Sequence, residues 1–261
     1  MLKITIRPAL ASCFTAAVAV FLSSCASSGP QVAQPDATLV NKASNMYARS
    51  RFSQAVDLYR KTVEENPDSP YRKQSVLGLA DSLYKDKNYG EAALYYERFT
   101  ELYPLDALTA RSYFYQAMCF YHDTHEADRD QTNTKKAIGA FSRFVDKYPN
   151  DLMAPLARQY IAEMDSLLAG SRMEIARYYH RVGKNSAAIG RLNDFLDEYP
   201  DSIDVNEALF MLGESYYREQ SFKEAAQVFI KLIEKDPAGE FGQKAAAIAQ
   251  SIKLKEGSGD N

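Results

Sequence analysis

The hydrophobic pattern of this chain has the period of α-helices, and no stretch of strand length alternates strictly between apolar and polar residues. Five prolines interrupt that pattern: Pro67, Pro104, Pro149, Pro200 and Pro237. Since proline lacks an amide hydrogen and clashes with the preceding turn, each is predicted to close a helix. Three residue pairs have the spacing of capping boxes at helix starts: Asn88/Glu91, Asp204/Glu207 and Ser221/Glu224. Together these features predict an all-α protein.

A second pattern keeps register with the prolines. Twelve residues before each proline lies an alanine: Ala55, Ala92, Ala137, Ala188 and Ala225. Eight residues before each lies a large apolar residue: Tyr59, Tyr96, Phe141, Leu192 and Phe229. Twenty-four residues before four of them lies a small residue, with Ala117 in this place of the third unit: Ala43, Ala80, Ala176 and Gly213. A small residue lets two helices approach closely, and a large one fills the remaining space.

These offsets resemble the tetratricopeptide repeat, a helix–turn–helix unit of about 34 residues. The resemblance covers residues 38–250 and includes five units. Because a two-helix unit cannot bury both of its faces alone, we expect neighbouring pairs to stack. The predicted fold is a right-handed superhelical solenoid of five tetratricopeptide-like helix pairs with a concave groove.

The distances between the prolines predict two insertions. Pro67 and Pro104 are 37 residues apart, as are Pro200 and Pro237, whereas the two middle intervals are 45 and 51 residues. The eight extra residues fall in the polar segment 122–134, and the fourteen extra residues fall between Pro149 and Ala176. Since fourteen residues make nearly four α-helical turns, the second insertion is predicted to lengthen a helix, with a bend near Pro155 or Gly170.

The amino terminus has the pattern of an export signal. Two basic residues, Lys3 and Arg7, precede 14 uncharged and mostly apolar residues, Ala9 to Leu22. A span of roughly 20 residues is needed to cross a bilayer, so this stretch is predicted to be a signal peptide. The segment that follows, Leu22-Ser23-Ser24-Cys25, resembles the lipobox of bacterial lipoproteins. The alternative is an ordinary secretory signal in which Cys25 is incidental.

The lipobox resemblance implies cleavage before Cys25 and lipidation of its sulfur. Because Ala26 stands where the lipoprotein rule places aspartate for inner-membrane retention, we expect an outer-membrane protein, lipid-anchored and facing the periplasm. The expected organisation is a signal peptide at 1–24, lipidated Cys25 with a flexible linker at 25–37, the solenoid at 38–250 and a flexible tail at 251–261. Cys119 then has no cysteine partner, and its apolar neighbours predict a buried, inert thiol.

Charge and motif content argue against several classes of function. The chain has 31 basic and 34 acidic residues and a net charge of −3, which argues against a nucleic-acid partner. It has no phosphate-binding glycine loop and no Cys/His cluster, so no cofactor and no metal are expected. His122 and His125 lie in the polar insertion, where a solvated loop is favoured over a metal site. We expect no enzymatic activity.

Two candidate binding surfaces follow from the repeat register. Twenty residues before the closing prolines lie aromatic side chains that tetratricopeptide folds place on the concave face: Tyr47, Tyr84, His180 and Tyr217, with Tyr121 in the third unit. They form either an aromatic ladder for a peptide or ordinary contacts between first helices. The amino-terminal pocket is predicted to include Tyr47, Tyr84, Lys85, Arg111, Phe114 and Tyr121. The carboxyl-terminal surface is predicted to be arginine-rich and to include Arg177, Arg181, Arg191 and Arg218. Arginine binds carboxylates in a bidentate manner, so acidic groups are plausible ligands of both.

Two segments carry a more specific resemblance. Asp128-Arg129-Asp130-Gln131 with the following TKKAIGAFSRFVDKYPN, and the run YYHRVGKNSAAIGRLNDFLDEYPDS from Tyr178 to Ser202, resemble the BamD family of outer-membrane assembly lipoproteins. The lipobox, the five repeats and both insertions fit that family together.

The resemblance implies a non-enzymatic subunit of the machinery that inserts β-barrel proteins into the outer membrane. Its carboxyl-terminal repeats would dock the barrel-forming subunit, with Arg191 on the docking surface. Its amino-terminal groove would receive the terminal strand of unfolded β-barrel clients, and other assembly lipoproteins would be further partners. The alternative is another outer-membrane tetratricopeptide adaptor, such as a pilotin or an organiser of cell-wall hydrolases, which would need neither insertion.

Overall fold

The computed structural model of this chain describes residues 35–124 and 130–258, with side chains described up to Lys253. The predicted signal peptide, Cys25, most of the linker, and His125, Asp128 and Arg129 of the insertion lie outside the described residues. Every regular element in the described ranges is a helix. In chain order these are α1 Pro35–Ala48, α2 Phe52–Glu65, α3 Arg72–Lys85, α4 Tyr89–Leu102, α5 Thr109–His122, α6 Thr132–Lys147, α7 Ala154–Arg181, α8 Asn185–Glu198, α9 Val205–Arg218, α10 Phe222–Lys235 and α11 Glu240–Ser258.

The helices stack in the order of the chain. Each packs against the next, and α1 also contacts α3, α7 contacts α9 and α9 contacts α11. Helices α1 to α10 therefore form the five predicted pairs, and the all-α solenoid of tetratricopeptide-like pairs is confirmed. Helix α11 covers the last pair and continues to Ser258, past residue 250 where a tail was expected to begin.

The small and large positions of the repeat form the core. All nine alanines of the two small positions have exposures of 0%. The five large apolar residues are at most 5% exposed. In the fifth pair a Cβ atom placed on Gly213 would overlap the ring of Phe229, so glycine allows α9 to rest directly on that ring. The register of small and large residues thus sets how closely the helices approach.

The prolines close the second helix of every pair as predicted. Helices α2, α4, α6, α8 and α10 all end two residues before their proline. After four of the prolines a Ser or Asp side chain accepts a hydrogen bond from the amide two residues further on: Ser69 at 3.2 Å, Asp106 at 2.9 Å, Asp151 at 2.8 Å and Ser202 at 3.3 Å. A short turn held by a polar side chain therefore connects each pair to the next.

The longer insertion lies entirely within one helix. Helix α7 has 28 residues, whereas α3, α5 and α9 have 14 each. Pro155 lies in the first turn of α7, where its missing amide hydrogen costs no hydrogen bond, so the bend expected near Pro155 is wrong. Of the three expected capping boxes, only half of the Asn88/Glu91 box forms: Asn88 Oδ1 accepts from the Glu91 amide at 3.5 Å, whereas the Asn88 backbone amide donates to the Leu83 carbonyl at 2.9 Å and not to Glu91. Ser221 makes no capping hydrogen bond through its side chain.

Replacing Gly213 with alanine should destabilise the fifth pair, because the added methyl group must displace the Phe229 ring from a close-packed core. We expect Gly213→Ala to lower the free energy of unfolding by about 1–3 kcal/mol. Gly139 is the control: it lies inside α6, is exposed and has no atom within 4 Å of an added Cβ. Gly139→Ala should leave stability unchanged or raise it by about 0.5–1 kcal/mol. Urea unfolding followed by circular dichroism measures both, and equal effects would contradict the close-approach role of Gly213.

Candidate functional site

The tyrosines of the predicted ladder take part in contacts within their own helix pairs. Tyr47, Tyr84 and Tyr217 are half-buried, and each meets an aromatic ring five residues later. The partners are Phe52, Tyr89 and Phe222, at centroid distances of 5.4, 5.5 and 5.5 Å in edge-to-face geometry. Each tyrosine ring therefore contacts an aromatic residue at the start of the next helix and packs over the turn between the two helices of its pair. Packing between helices and binding of a peptide are not exclusive roles for these tyrosines, because part of each ring remains exposed.

Side chains from three first helices and one second helix converge on Asp81, and we call them the Arg111 cluster: Tyr47, Asp81, Tyr96, Arg111 and Tyr115. Arg111 Nη2 donates to Asp81 Oδ1 at 3.0 Å, and the Tyr96 hydroxyl donates to the same oxygen at 2.6 Å. The Arg111 guanidinium carbon lies 4.6 Å from the centroid of the Tyr115 ring, which is cation–π geometry. The cluster thus fixes one cation between a carboxylate and an aromatic face.

Arg111 stays charged although half of it is buried. Burial alone would lower the pKa of Arg111, but the Asp81 carboxylate outweighs it and raises the pKa. Burial, and then Asp81, raises the pKa of Tyr96, so the Tyr96 hydroxyl keeps its proton and remains a donor. Burial likewise raises the pKa of Tyr47, with Asp81 as the next cause. Since a guanidinium has five N–H donors, the 32% exposed side chain of Arg111 can bind a second carboxylate.

Tyr84 and Lys85 lie beside this cluster at the end of α3. The Tyr84 hydroxyl is 2.9 Å from His122 Nε2, and its ring meets Tyr115 at a centroid distance of 5.2 Å. His122 also stacks on Tyr89 at 4.8 Å. Lys85 is exposed and makes no side-chain hydrogen bond or ion pair within the described residues. Tyr84 therefore joins the Arg111 cluster to the start of the 122–134 insertion.

Phe114 does not line this site. It is 6% exposed and packs between Phe141 and Phe144, at centroid distances of 5.7 and 5.6 Å. Its place in the predicted pocket is wrong, because a buried core ring offers no surface to a ligand.

Tyr121 also points away from Arg111, toward the long helix α7. Its hydroxyl donates to Glu163 Oε1 at 2.9 Å, and its ring meets Tyr160 at 4.6 Å. Burial, followed by the hydrogen bond to Glu163, raises the pKa of Tyr121 to about 12. Tyr121 thus links the third pair to the inserted half of α7.

The Arg177 side chain makes four hydrogen bonds to carboxylates of the protein. It donates to Glu174 at 2.8 Å, to Asp204 at 2.9 Å, and to both oxygens of Glu207 at 2.9 and 2.7 Å. The expected capping box of Asp204 and Glu207 is absent, since both carboxylates bind this guanidinium. Arg177 connects α7 to α9, so most of its donors are used within the protein and few are left for a docking partner.

The same inter-helix ion pair recurs along the stack with its polarity reversed. Asp81 and Arg177 both lie 23 residues before a closing proline, and each pairs with a residue 30 positions later, Arg111 or Glu207. Glu214 occupies the same register, and Lys244, again 30 residues later, helps to lower its pKa after the larger effect of His180. The repeat register and the alternating charge sign were signals in the sequence that could have revealed these pairs.

The remaining predicted arginines differ in how they are paired. Arg218 donates to the His180 carbonyl at 3.3 Å and lies 3.9 Å from Glu214. Arg191 is 52% exposed, lies 3.7 Å from Asp194 and lines a cleft with Arg172 and three carboxylates. Arg181 is exposed and has no side-chain partner within the described residues. Arg181 and Arg191 are thus the two predicted docking arginines with the most freedom to bind a partner.

Further candidate chemistry is limited in the part of the chain that the structure describes. There, no three His, Cys, Asp or Glu side chains lie close enough together to hold a metal ion. Cys119 is 1% exposed, and burial raises the pKa of its thiol. Of the helices in the same part, none is both long and apolar enough to span a membrane.

Comparison with known proteins adds a family and relatives. The family model described as "YfiO: Outer membrane lipoprotein" matches residues 32–232. The chain is 31% identical to "Outer membrane protein assembly factor BamD" of Caulobacter vibrioides over 70% of this chain, but over only 60% of that protein's length. It is 28% identical to the protein of the same name from Rickettsia prowazekii, over 71% of this chain and 74% of that one. A solved structure, the TPR2AB-domain:pHSP90-complex of yeast Sti1, is 17% identical, covers 85% of this chain and 84% of that chain, and has a TM-score of 0.41.

Arg177 should contribute to stability. Arg177→Gln removes the cation that four hydrogen bonds hold among three carboxylates. We expect the free energy of unfolding to fall by about 1.5–3 kcal/mol. Arg181, one turn further along α7 and without a side-chain partner in the described residues, is the matched control. Arg181→Gln should leave the urea midpoint unchanged. An equal loss of stability in both variants would argue against a stabilising role of the Arg177 hydrogen bonds.

Proposed function

This chain belongs to the YfiO family of outer membrane lipoproteins, and from that membership we propose that it is an outer-membrane protein assembly factor. The names of the relatives support this role. It acts as a non-enzymatic scaffold that binds the barrel-forming subunit of the assembly machinery, other assembly lipoproteins and unfolded β-barrel clients. It needs no cofactor and binds no nucleic acid.

The proposal includes a lipid anchor in the outer membrane, on the periplasmic side. Lipidated Cys25 would hold the chain. Since α1 begins at Pro35, the linker would span 25–34 and not 25–37, and a flexible segment of that length would give the helical stack a reach of about 17 Å from the membrane surface. Acyl chains contribute about 0.8 kcal/mol for each buried CH₂, so several chains hold a protein firmly. Both features lie in the segment before or at the start of α1.

The Arg111 cluster is the proposed client site, and the incomplete pairing of Arg111 supports this most directly. Within the described residues, Arg177 makes four hydrogen bonds to three carboxylates, whereas Arg111 makes a single side-chain hydrogen bond, to Asp81. Its spare donors lie among half-buried tyrosine rings. A cation beside aromatic faces suits a strand that ends in an aromatic residue and a free carboxylate.

Partner docking is proposed at the carboxyl-terminal pairs, around Arg181 and Arg191. Arg191 is half-exposed, and the 3.7 Å distance to its neighbour Asp194 leaves that pair weak. An acidic loop of the barrel-forming subunit could displace Asp194 at little cost. The two proposed sites lie on different helix pairs, so a client and a partner subunit would not compete.

Client binding should depend on the carboxylate of the client. A peptide that copies a terminal barrel strand ending in phenylalanine should bind the wild-type protein about 10–100-fold more tightly as the free acid than as the amide. Arg111→Gln should abolish that difference, whereas Lys61→Gln, on the exposed face of α2, should preserve it. Fluorescence anisotropy of labelled peptides measures both. Equal binding of acid and amide to the wild-type protein would refute a carboxylate site, whatever the stability of the variant.

Docking of the barrel-forming subunit should depend on charge at Arg191. Arg191→Glu should reduce its co-purification after gentle detergent extraction, because the reversed charge repels an acidic loop. Arg143→Glu, an equally exposed arginine on α6, is the control and should keep the complex. An intact complex with Arg191→Glu would remove this residue from the docking surface, and recovery of a secretin or an amidase would favour another adaptor role.

A further inference from the structure

A cleft of about 710 Å³ lies between the middle of α7, the end of α8 and the turn that leads into α9. Its walls include Ala162, Asp165, Ala169, Glu198, Asp201 and Ile203. We call it the α7 cleft. It shares no residue with the Arg111 cluster, so it is a separate feature of the surface.

The insertion in α7 creates one wall of this cleft. Helices α3 and α9 begin 32 residues before the proline that closes their pair, which corresponds to residue 168 in the fourth pair. Ala162 and Asp165 therefore belong to the extra half of α7. That half extends beside the next junction turn, whereas α3, α5 and α9 have no such extension.

The rim of the cleft presents apolar surface to solvent, above a floor of buried alanine. Ile203 is 97% exposed at the tip of the junction turn, next to the half-buried ring of Tyr199. Ala169 is 3% exposed and closes the cleft from below. A large aliphatic side chain held fully in water next to a concave surface would gain free energy if a partner covered it.

The cleft is lined by four carboxylates, and arginines pair with only two of them. Glu198 lies 3.5 Å from Arg172, and Asp204 binds Arg177. Asp165 and Asp201 have no hydrogen bond or ion pair to their side chains within the described residues, and no lysine or arginine lines the cleft. Asp165 is exposed at the mouth of the cleft, and the part of its side chain that is covered raises the pKa of its carboxyl group by desolvation. A cation would compensate that desolvation, whereas an anionic lipid surface would be repelled.

We propose that the α7 cleft binds a short segment of a partner protein that presents a lysine or arginine next to an apolar side chain. The cation lies between Asp165 and Asp201, and the apolar side chain covers Ile203. This occupant complements the cleft in charge and in apolar surface, because the carboxylates of Asp165 and Asp201 and the exposed side chain of Ile203 line the same cleft. The inference goes beyond the proposed function and does not depend on it, since the α7 cleft shares no residue with the Arg111 cluster and shares only Glu198 with the cleft beside Arg191.

The chain has no tryptophan, so a single tryptophan can report on the cleft. Ile203→Trp in the full-length chain places the reporter at the rim, and Leu105→Trp places one on the junction turn before α5, where the leucine is 98% exposed. The probes are the blocked tripeptides Leu-Arg-Leu and Leu-Glu-Leu. The arginine peptide should shift the emission of the Ile203→Trp protein in a saturable manner. The glutamate peptide, and the Leu105→Trp protein with either peptide, should give no shift.

A second change tests the carboxylate. Asp165→Asn in the Ile203→Trp protein should weaken binding of the arginine peptide about three- to tenfold. Glu234→Gln, at an exposed and unpaired glutamate of α10, should leave binding unchanged. Equal responses to both peptides, no response up to the solubility limit, or an unaltered affinity with Asp165→Asn would each overturn the proposal.

In cells, a photo-crosslinking residue at position 203 should capture one protein through a peptide that contains lysine or arginine beside an apolar residue. The same residue at position 105 should not capture that peptide. Crosslinks from position 203 to lipid alone, or to a peptide without a basic residue, would contradict the proposed occupant. The full-length chain is used throughout, so the result applies to the anchored protein.

Discussion

The fold depends on one contact that recurs in every helix pair, in which a large apolar side chain fills the space beside a small residue. Where both helices of a pair have alanine or glycine at the contact, their backbones approach closely. The large side chain of the second helix, an aromatic ring or a leucine, fills the space that remains. Phe229 against Gly213 is an especially close case, since not even a methyl group fits between them. Each pair then has a second apolar face that only a neighbouring pair can bury, so the contact determines both the pair and the stack.

The stack in turn brings charges together at a fixed separation along the chain. Residues 30 positions apart meet on consecutive first helices, as Asp81 meets Arg111 and Arg177 meets Glu207. The polarity reverses between these pairs, so the register demands complementary charges and not a particular residue. The two arginines differ in how many of their donors are used within the protein. Arg177 makes four hydrogen bonds to three carboxylates, while Arg111 makes one to Asp81 within the described residues and has more unused donors beside tyrosine rings.

Much of this architecture could be predicted from the sequence, because prolines and small residues act locally. The helix ends, the five pairs and the long helix α7 all follow from offsets that proline and alanine fix by steric rules. The sites were harder to predict. The repeat register predicts that Phe114 and Arg177 lie on the surface of the groove. In the structure Phe114 is buried in the core, and Arg177 is bound by carboxylates. Tertiary neighbours decide such outcomes, as Glu163 of the inserted half of α7 does for Tyr121.

The central claim is that an unsaturated guanidinium among tyrosines captures the terminal carboxylate of an unfolded barrel strand. An experimental structure of the full-length chain bound to a strand peptide with a free carboxyl terminus tests it most directly. The account predicts the terminal carboxylate within about 3 Å of the Arg111 guanidinium, with the last aromatic side chain against Tyr47, Tyr84 or Tyr115. A peptide bound with its carboxylate elsewhere, while Arg111 contacts Asp81 alone, would contradict it.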